Sequence, residues 1–239
     1  MKSRGEIAHN PFVESFRYPG NKKRIVVALS GIAAGLTVIW YTAMFSGLSL
    51  LKGPMQMEES RAEILVGGSA AAGMVFFVLF GRLSDRIGRR KPILIGYALT
   101  LLLLFPIFWV MGNAANPGRA AAEAAAPVVI VADSCQFEPM VARQKSACGQ
   151  MLEELTRLGV RYERRAGDGS TPPIIRVGAQ ELEIDRLPTI QPVLEAVGYS
   201  FERQRPGVLN QLVIVATLLA LGALSGATYG PVAALLEEG

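Results

Sequence analysis

Charged residues are absent from four long stretches of this 239-residue chain. The stretches hold 103 residues and lie at 25–51, 64–81, 92–118 and 206–236. All 44 aspartate, glutamate, lysine and arginine residues fall in the other 136 positions, whereas soluble domains average about 25% charged residues. This segregation excludes a single soluble domain, a disordered chain and a coiled coil.

Cysteine and histidine are scarce as well, and their scarcity excludes further classes. Two cysteines are too few for a disulfide-dense secreted scaffold. The single histidine, His9, lies in a charged N-terminal segment, so no Ser/His/Asp or Cys/His catalytic group can be assembled. No glycine-rich phosphate loop follows a predicted strand, which argues against ATP hydrolysis. We therefore expect neither an enzyme nor a bound metal or other cofactor.

The uncharged stretches have the length of transmembrane helices. The hydrocarbon core of a bilayer is ~30 Å thick and needs about 20 apolar residues to cross it. The shortest stretch, 64–81, has 18 residues and spans roughly 27 Å at 1.5 Å per residue. The charged side chains of Glu63 and Arg82 at its ends can reach the headgroups. Transmembrane helices are predicted at about 25–48, 64–81 and 92–112 within region 25–112, and in region 208–239, which ends in a short tail.

Small residues recur within these stretches and predict how the helices associate. Glycine, alanine and serine let helix backbones approach closely in lipid, where no hydrophobic force drives association. Examples are Gly31, Gly35, Gly67, Gly73, Gly222, Ser225 and Gly226. They predict a packed bundle rather than four separate anchors.

The orientation follows from the lysines and arginines of the short segments between helices. Segment 1–24 has six, segment 82–91 has five and segment 52–63 has two. Because basic residues accumulate on the cytoplasmic side, both termini are predicted to be cytoplasmic, in a cell (inner) membrane. Segment 113–207 is then periplasmic or extracellular, and long segments cross largely regardless of their charge.

Segment 113–207 has the pattern of a small α+β domain inserted between the third and fourth helices. Apolar or alternating runs predict strands, and apolar residues at helical spacing predict two helices. The strands are expected at 128–131, 160–164 and 174–177, and the helices at 143–158 and 187–197. Residues 155–164 and 194–203 share a faint repeat at an offset of 39. It predicts two strand–helix–strand units, unless the similarity is coincidental.

Both cysteines, Cys135 and Cys148, fall in this outside segment. In an oxidising compartment they would pair and close a small loop, which stabilises a domain by about 3 kcal/mol. Two free thiols, or a metal or redox site, are the alternatives. A metal site would need further ligands.

The segment from Gly81 to Lys91 carries an ordered set of glycine, acidic and basic residues between two predicted spans. A glycine at a helix end allows close packing, and a second glycine permits a turn. Asp85 can accept hydrogen bonds from free backbone N–H groups or pair with a nearby arginine. Basic residues hold such a loop at the anionic cytoplasmic leaflet. The residues of interest are Gly81, Leu83, Asp85, Arg86, Gly88, Arg89 and Arg90.

The order of these residues resembles the G-x-L-x-D-R-x-G-R-R/K loop signature of the major facilitator superfamily of transporters. Every position of the pattern is met. The flanking segments Trp40–Thr42, Lys91–Phe108 and Tyr229–Leu236 are similar to helices seven, nine and ten of its metabolite:proton symporter branch. The resemblance implies an all-α membrane protein with four helices of a major-facilitator-type bundle and a small α+β extracytoplasmic insert.

The resemblance also implies a function and its partners. The superfamily binds substrate between two six-helix halves, and this chain matches only helices seven to ten. We expect a truncated piece of a proton-coupled symporter for small organic acids or zwitterions, with the lipid bilayer, a metabolite, a proton and the missing N-terminal half as partners. The predicted spans contain no ionisable residue that could carry the proton. The piece alone is therefore expected to be inactive.

Roles for individual residues follow from the same resemblance. Asp85 would hold a gate at the cytoplasmic edge, together with the rest of the signature loop. Trp40, Tyr41, Thr42 and Phe45 would line the substrate path, unless they serve ordinary helix packing.

An alternative from another class is a four-span sensor or assembly subunit whose extracytoplasmic domain binds a ligand or partner. The pI of about 9.2 does not indicate nucleic-acid binding, because the excess of basic residues adjoins the apolar stretches.

Overall fold

A computed structural model describes residues 21–27, 34–88, 90–133, 135, 137, 138, 140, 141, 144–167 and 172–231. Most of the predicted tail 1–24, part of the first predicted span, Arg89 and the last eight residues lie outside this part of the chain. The described residues form helices α1 (Asn21–Val27), α2 (Ala34–Tyr41), α3 (Gly47–Lys52), α4 (Glu59–Ile87), α5 (Arg90–Ala115), α6 (Pro117–Ala125), α7 (Ala147–Leu158), α8 (Gln191–Ala196) and α9 (Val208–Tyr229). A π-helical turn, Thr42–Ser46, joins α2 to α3, and a 3₁₀ turn covers Ile184–Arg186.

Three of these helices, α4, α5 and α9, are long and apolar enough to cross a membrane. They coincide with the second, third and fourth predicted spans. Within its described part, the first predicted span is not one regular helix but consists of α1, α2, the π-helical turn and α3. The chain therefore has the helices expected of a membrane protein, and three span-length helices are found among the described residues.

The prediction of a loop over 82–91 is wrong. Helix α4 continues to Ile87, and α5 begins at Arg90, so only two residues separate them. Arginine is a good helix former, and the Ser84 hydroxyl donates to the carbonyl of Gly81 within the helix, at 2.6 Å. Gly88 ends the helix with a φ of 88°, a conformation that glycine adopts without strain.

Helix α9 packs along both α4 and α5 and is the most buried of the three long helices. Glycines set the closest approach between α4 and α9. A Cβ built on Gly222 would lie 3.6 Å from the Cα of Gly73, whereas a Cβ on Gly226 would lie 2.9 Å from the backbone of Phe76. The predicted small-residue packing is thus present at the α4–α9 crossing.

Substitution of these two glycines by alanine should distinguish the effect of close helix packing on stability from the effect of helix propensity. We expect Gly226→Ala to lower the unfolding free energy by about 1–3 kcal/mol, because its Cβ meets backbone atoms that cannot rotate away. Gly222→Ala is the matched control, since its Cβ has room and alanine favours a helix by up to about 1 kcal/mol. Detergent titration of the purified chain, followed by circular dichroism, measures both. Equal stability of the two variants would show that the crossing is not sterically tight.

The insert is built around a four-stranded sheet of β1 (Val128–Val131), β2 (Tyr162–Arg165), β3 (Ile174–Val177) and β4 (Gln180–Glu183). The strand order is β2-β1-β3-β4. Strands β1 and β2 are parallel and connected through α7, while β3 is antiparallel to both β1 and β4. Its core is formed by buried apolar residues such as Ile130, Leu152, Leu155, Ile175, Ile190 and Leu194. The predicted strands at 128–131 and 174–177 are confirmed, and the third begins two residues later than predicted.

The two segments of the predicted internal repeat are alike only where their helices end. The prediction that each continues into a strand is wrong for the second segment. Gly159 and Gly198 both follow a helix and have positive φ values of 67° and 100°. After Gly159 the chain enters β2, but after Gly198 it does not join the sheet. Instead, Gln204 forms an isolated parallel bridge with Met57, in the segment between α3 and α4. The second segment therefore contacts the membrane-helix region instead of adding a strand.

Candidate functional site

An aromatic cluster lies between α2, α4 and α9. The Trp40 ring meets the Phe77 ring nearly edge-on, with centroids 5.7 Å apart and planes at 77°. The Phe77 and Tyr229 centroids are 5.9 Å apart. These three side chains and Met74, which is itself largely exposed, line an open apolar cavity of about 340 Å³. The cavity joins three helices that are far apart in sequence.

The structure separates the four residues predicted to line a substrate path. Only Trp40 lines the cavity. Tyr41 and Phe45 stack on each other at 5.0 Å and are largely exposed, since residues four apart share one face of a helix. Thr42 is half-buried at the start of the π-helical turn. Such turns are frequent at functional sites, so the aromatic pair remains a candidate for contact with a further helix.

Met74, Phe77 and Tyr229 are the cavity residues that sequence reasoning missed. Met74 and Phe77 are three apart on α4, a spacing that places both on one helix face. No charged side chain lines this cavity within the described residues. Aromatic rings and a thioether both bind apolar groups, and the face of an aromatic ring also attracts cations. The cavity can thus hold a small molecule by contact, but its lining offers no carboxylate, amine or imidazole to transfer a proton.

The signature residues lie on the last two turns of α4 and the first residue of α5. Gly81 packs against the end of α9, because a Cβ built on Gly230 would lie only 2.9 Å from the Gly81 nitrogen. Leu83, Asp85, Arg86, Gly88 and Arg90 are exposed, and Arg89 lies outside the described residues. The close packing of Gly81 agrees with its predicted part in helix packing. The gating role of Asp85 stays a prediction.

A second group of residues, which the sequence did not predict, connects the insert to the membrane helices. We call this contact region, centred on Arg119 of α6, the junction. The Arg119 side chain is 1% exposed. Its guanidinium donates to the carbonyl of Pro54, which lies between α3 and α4, and to the carbonyl of Leu158 at 2.7 Å. It also pairs with Glu123 at 3.3 Å and lies 5.8 Å from the Phe201 ring centroid. One buried cation thus links a membrane-helix loop, α6 and the end of α7.

Neighbouring polar groups complete this junction. The Asn116 side chain accepts from the Arg119 N–H at 3.0 Å, which caps α6, and donates to the carbonyl of Met55 at 3.3 Å. Burial lowers the pKa of Arg119, and the charge of Glu123 opposes that change. Burial also raises the pKa of Tyr199 to about 12, and its hydroxyl donates to the carbonyl of Ala126 at 2.9 Å. The Arg119 guanidinium is therefore charged and the Tyr199 hydroxyl neutral, and both are fixed by packing and hydrogen bonds.

Backbone hydrogen bonds and surface ion pairs also connect the end of the insert to the segment between α3 and α4. The Gln204 N–H donates to the carbonyl of Gln56 at 2.7 Å, and the Glu58 N–H donates to the carbonyl of Gln204 at 3.1 Å. Arg205 pairs with Glu58 at 2.7 Å and Arg203 with Glu59 at 2.8 Å. The segment between α3 and α4 is therefore held by the insert from two sides.

The structure joins Cys135 and Cys148 in a disulfide, with their Cα atoms 5.5 Å apart. Cys135 follows β1, and Cys148 is the second residue of α7. Both are buried in the insert core. The cross-link closes the segment between the first strand and the crossover helix.

Comparisons with known proteins add no relative. No protein-family model matches the chain, and neither a curated protein nor a solved structure does. Function is therefore inferred from the helices, the aromatic cavity and the junction themselves.

Proposed function

We propose that this chain is part of a secondary active transporter of the major-facilitator type, in a cell membrane. It would take part in proton-coupled symport of small organic acids or zwitterionic metabolites by alternating access. The observation that carries the proposal is the placement of the signature residues. The described ones lie at the end of α4, at Gly88 and at the start of α5, between two span-length helices, and Gly81 packs against the end of a third such helix.

The cavity supports the substrate part of this proposal. It is lined from the three helices α2, α4 and α9, and transporters of this type bind substrates between helices. The exposed Tyr41–Phe45 pair would face the partner half, which we propose to be an N-terminal six-helix bundle. That half would supply the proton-carrying groups, because coupling residues inside membranes are acidic, basic or histidine side chains and the described cavity lining has none of these.

Uptake measurements test the proposal. We expect no proton-driven uptake of radiolabelled citrate, proline or betaine by proteoliposomes that contain only the purified chain. Co-expression with the helices of a symporter from this branch that the chain does not match, one to six together with eleven and twelve, should give uptake, and Asp85→Asn should reduce it. Protein-free liposomes and an intact symporter are the controls. Robust uptake by the chain alone would contradict the need for a second half.

The second candidate function is a membrane sensor or assembly subunit. The observation that favours it is the fixed attachment of the insert at Arg119, since a sensor needs a rigid path between an outside domain and its helices. A stably inserted chain that gives no uptake in any combination would favour this alternative over transport.

A further inference from the structure

An open groove lies where the insert meets the end of α5, on the side of the membrane where the insert stands. Its volume is about 470 Å³, and its lining combines two aromatic side chains with polar and charged ones. The residues that matter are Trp109, Asn113, Glu123, Arg161, Tyr162 and Glu163. The groove therefore differs in chemistry from the apolar cavity among the membrane helices.

The position of the groove along α5 places it at the depth of lipid headgroups. Trp109 lies six residues before the helix ends at Ala115, which is about 9 Å at 1.5 Å per residue. Tryptophan is enriched at this depth, where its ring meets both lipid chains and water, and Trp109 is largely exposed.

A stripe of exposed side chains leads along α5 into the groove. Leu101, Phe105 and Trp109 follow each other at intervals of four residues and are exposed, and the half-buried Asn113 is the next residue at this spacing. Each is the helix-surface neighbour of the next, so the row winds gradually around α5. Leu101 and Phe105 are each 80% exposed. A hydrocarbon chain lying on this stripe would carry its polar end directly to Asn113 and Arg161.

Arg161 is the cation that faces this polar end. Its side chain is half exposed, and its Nε lies 3.6 Å from a Glu123 oxygen. It also donates to the Asn113 side chain, at 3.5 Å. Both distances are long for charge-assisted bonds, and a guanidinium has five N–H donors. Glu123 also pairs with the buried Arg119. The charge of Arg161 is thus only partly compensated.

The carboxylates of Glu123 and Glu163 determine which net charge a bound ligand can carry. Glu123 already pairs with Arg119, but Glu163, two residues after Arg161, lines the same groove as Arg161. Its side chain is 71% exposed, and its described ion pair is a 3.3 Å contact with Arg165, also exposed. A ligand with an additional negative charge would be repelled by these carboxylates. A ligand with one anionic and one cationic group would satisfy both Arg161 and Glu163.

We propose that this groove binds the headgroup of a phosphoethanolamine lipid from the leaflet on the insert's side. The phosphodiester lies on the Arg161 guanidinium, which matches phosphate oxygens geometrically. The ammonium group donates to Glu163, and the acyl chains follow the stripe of Leu101, Phe105 and Trp109. This site does not depend on the transport proposal, because it lies outside the aromatic cavity.

Lipid retention by the purified full chain tests the site. Native mass spectrometry would compare phosphatidylethanolamine, phosphatidylcholine and phosphatidylglycerol with identical acyl chains. We expect phosphatidylethanolamine to be retained preferentially, and Arg161→Gln to reduce its retention about tenfold, because a hydrogen-bonded charge is lost. Glu163→Gln should reduce the preference over phosphatidylcholine. Arg176→Gln is the matched control, since Arg176 pairs with Glu181 elsewhere on the sheet.

A second measurement does not require the Arg161 variant to fold. The chain has two tryptophans, Trp40 and Trp109, so Trp40→Phe leaves Trp109 as the only tryptophan, which can be excited selectively. Phosphatidylethanolamine with brominated acyl chains should quench Trp109 more strongly than brominated phosphatidylglycerol. Inorganic phosphate and glycerophosphoethanolamine, which lack acyl chains, should not displace the lipid at equal concentration. Equal quenching by both lipids, or equal retention by Arg161→Gln and Arg176→Gln, would overturn the proposal.

Discussion

Replacement of Arg119 by methionine is expected to lower the unfolding free energy of the insert and its attachment by about 3–5 kcal/mol. Methionine keeps the length of the side chain but removes every donor. The carbonyls of Pro54 and Leu158 then lose their hydrogen bonds, and Glu123 loses its closest buried partner. A buried group left without its partner incurs its full desolvation penalty, which explains why the expected loss is large.

The measurement is urea unfolding of the purified chain in detergent micelles, with Trp40→Phe in every variant, so that the tryptophan fluorescence comes from Trp109. The matched control is Arg176→Met, because Arg176 and Glu181 form an ion pair with both side chains well exposed. Exposed pairs contribute only about 0–1 kcal/mol. If Arg119→Met and Arg176→Met lose similar stability, the junction is held by its apolar contacts and backbone bonds instead.

The absence of charge predicted the positions of the three long helices correctly, but it did not predict the helical structure of the first span. Absence of charge over 64–81, 92–118 and 206–236 is a local property, and each stretch contains most of a span-length helix. The first stretch is equally uncharged, yet its described part includes a π-helical turn at Thr42–Ser46. Charge counting reports which residues tolerate lipid, but it does not report how the helical hydrogen bonds are arranged within them.

In the insert, apolar strands were predictable and a polar one was not. Strand β1 is a run of valine and isoleucine, and three of its four residues are buried. Strand β4 has the sequence Gln-Glu-Leu-Glu and lies at the edge of the sheet. An edge strand that faces solvent needs no apolar alternation. Its partner β3 and the turn at Gly178, with a φ of 58°, determine its place.

The junction could not be predicted, because its contacts join residues that are distant in sequence. Arg119 stands in an alanine-rich stretch that has the composition of a linker. Its acceptors Pro54 and Leu158 are 65 and 39 residues away. Similarly, the family resemblance predicts Trp40 as a site residue, but Phe77 and Tyr229, which line the cavity with it, come from two other helices. Local patterns identify candidate residues, and tertiary packing selects the ones that meet.

Removal of the disulfide by the double change Cys135→Ala and Cys148→Ala is expected to destabilise the insert by about 3 kcal/mol. The two cysteines are 13 residues apart, and a cross-link over a loop of about 15 residues restricts the unfolded chain by that amount. The loss should appear in the unfolding of the insert, while the long helices unfold as before, because both cysteines are buried in the insert core.

A reducing agent provides the control for this prediction. Reduction should lower the stability of the unsubstituted chain to about that of the double variant, and it should leave the double variant unchanged. Since the disulfide links the end of β1 to the start of α7, its loss should also weaken the attachment at Leu158, the last residue of α7, whose carbonyl accepts from Arg119. Combined with Arg119→Met, the double change should therefore cost less than the sum of the separate losses, as expected for coupled sites. Strict additivity would show that the insert core and the junction unfold independently.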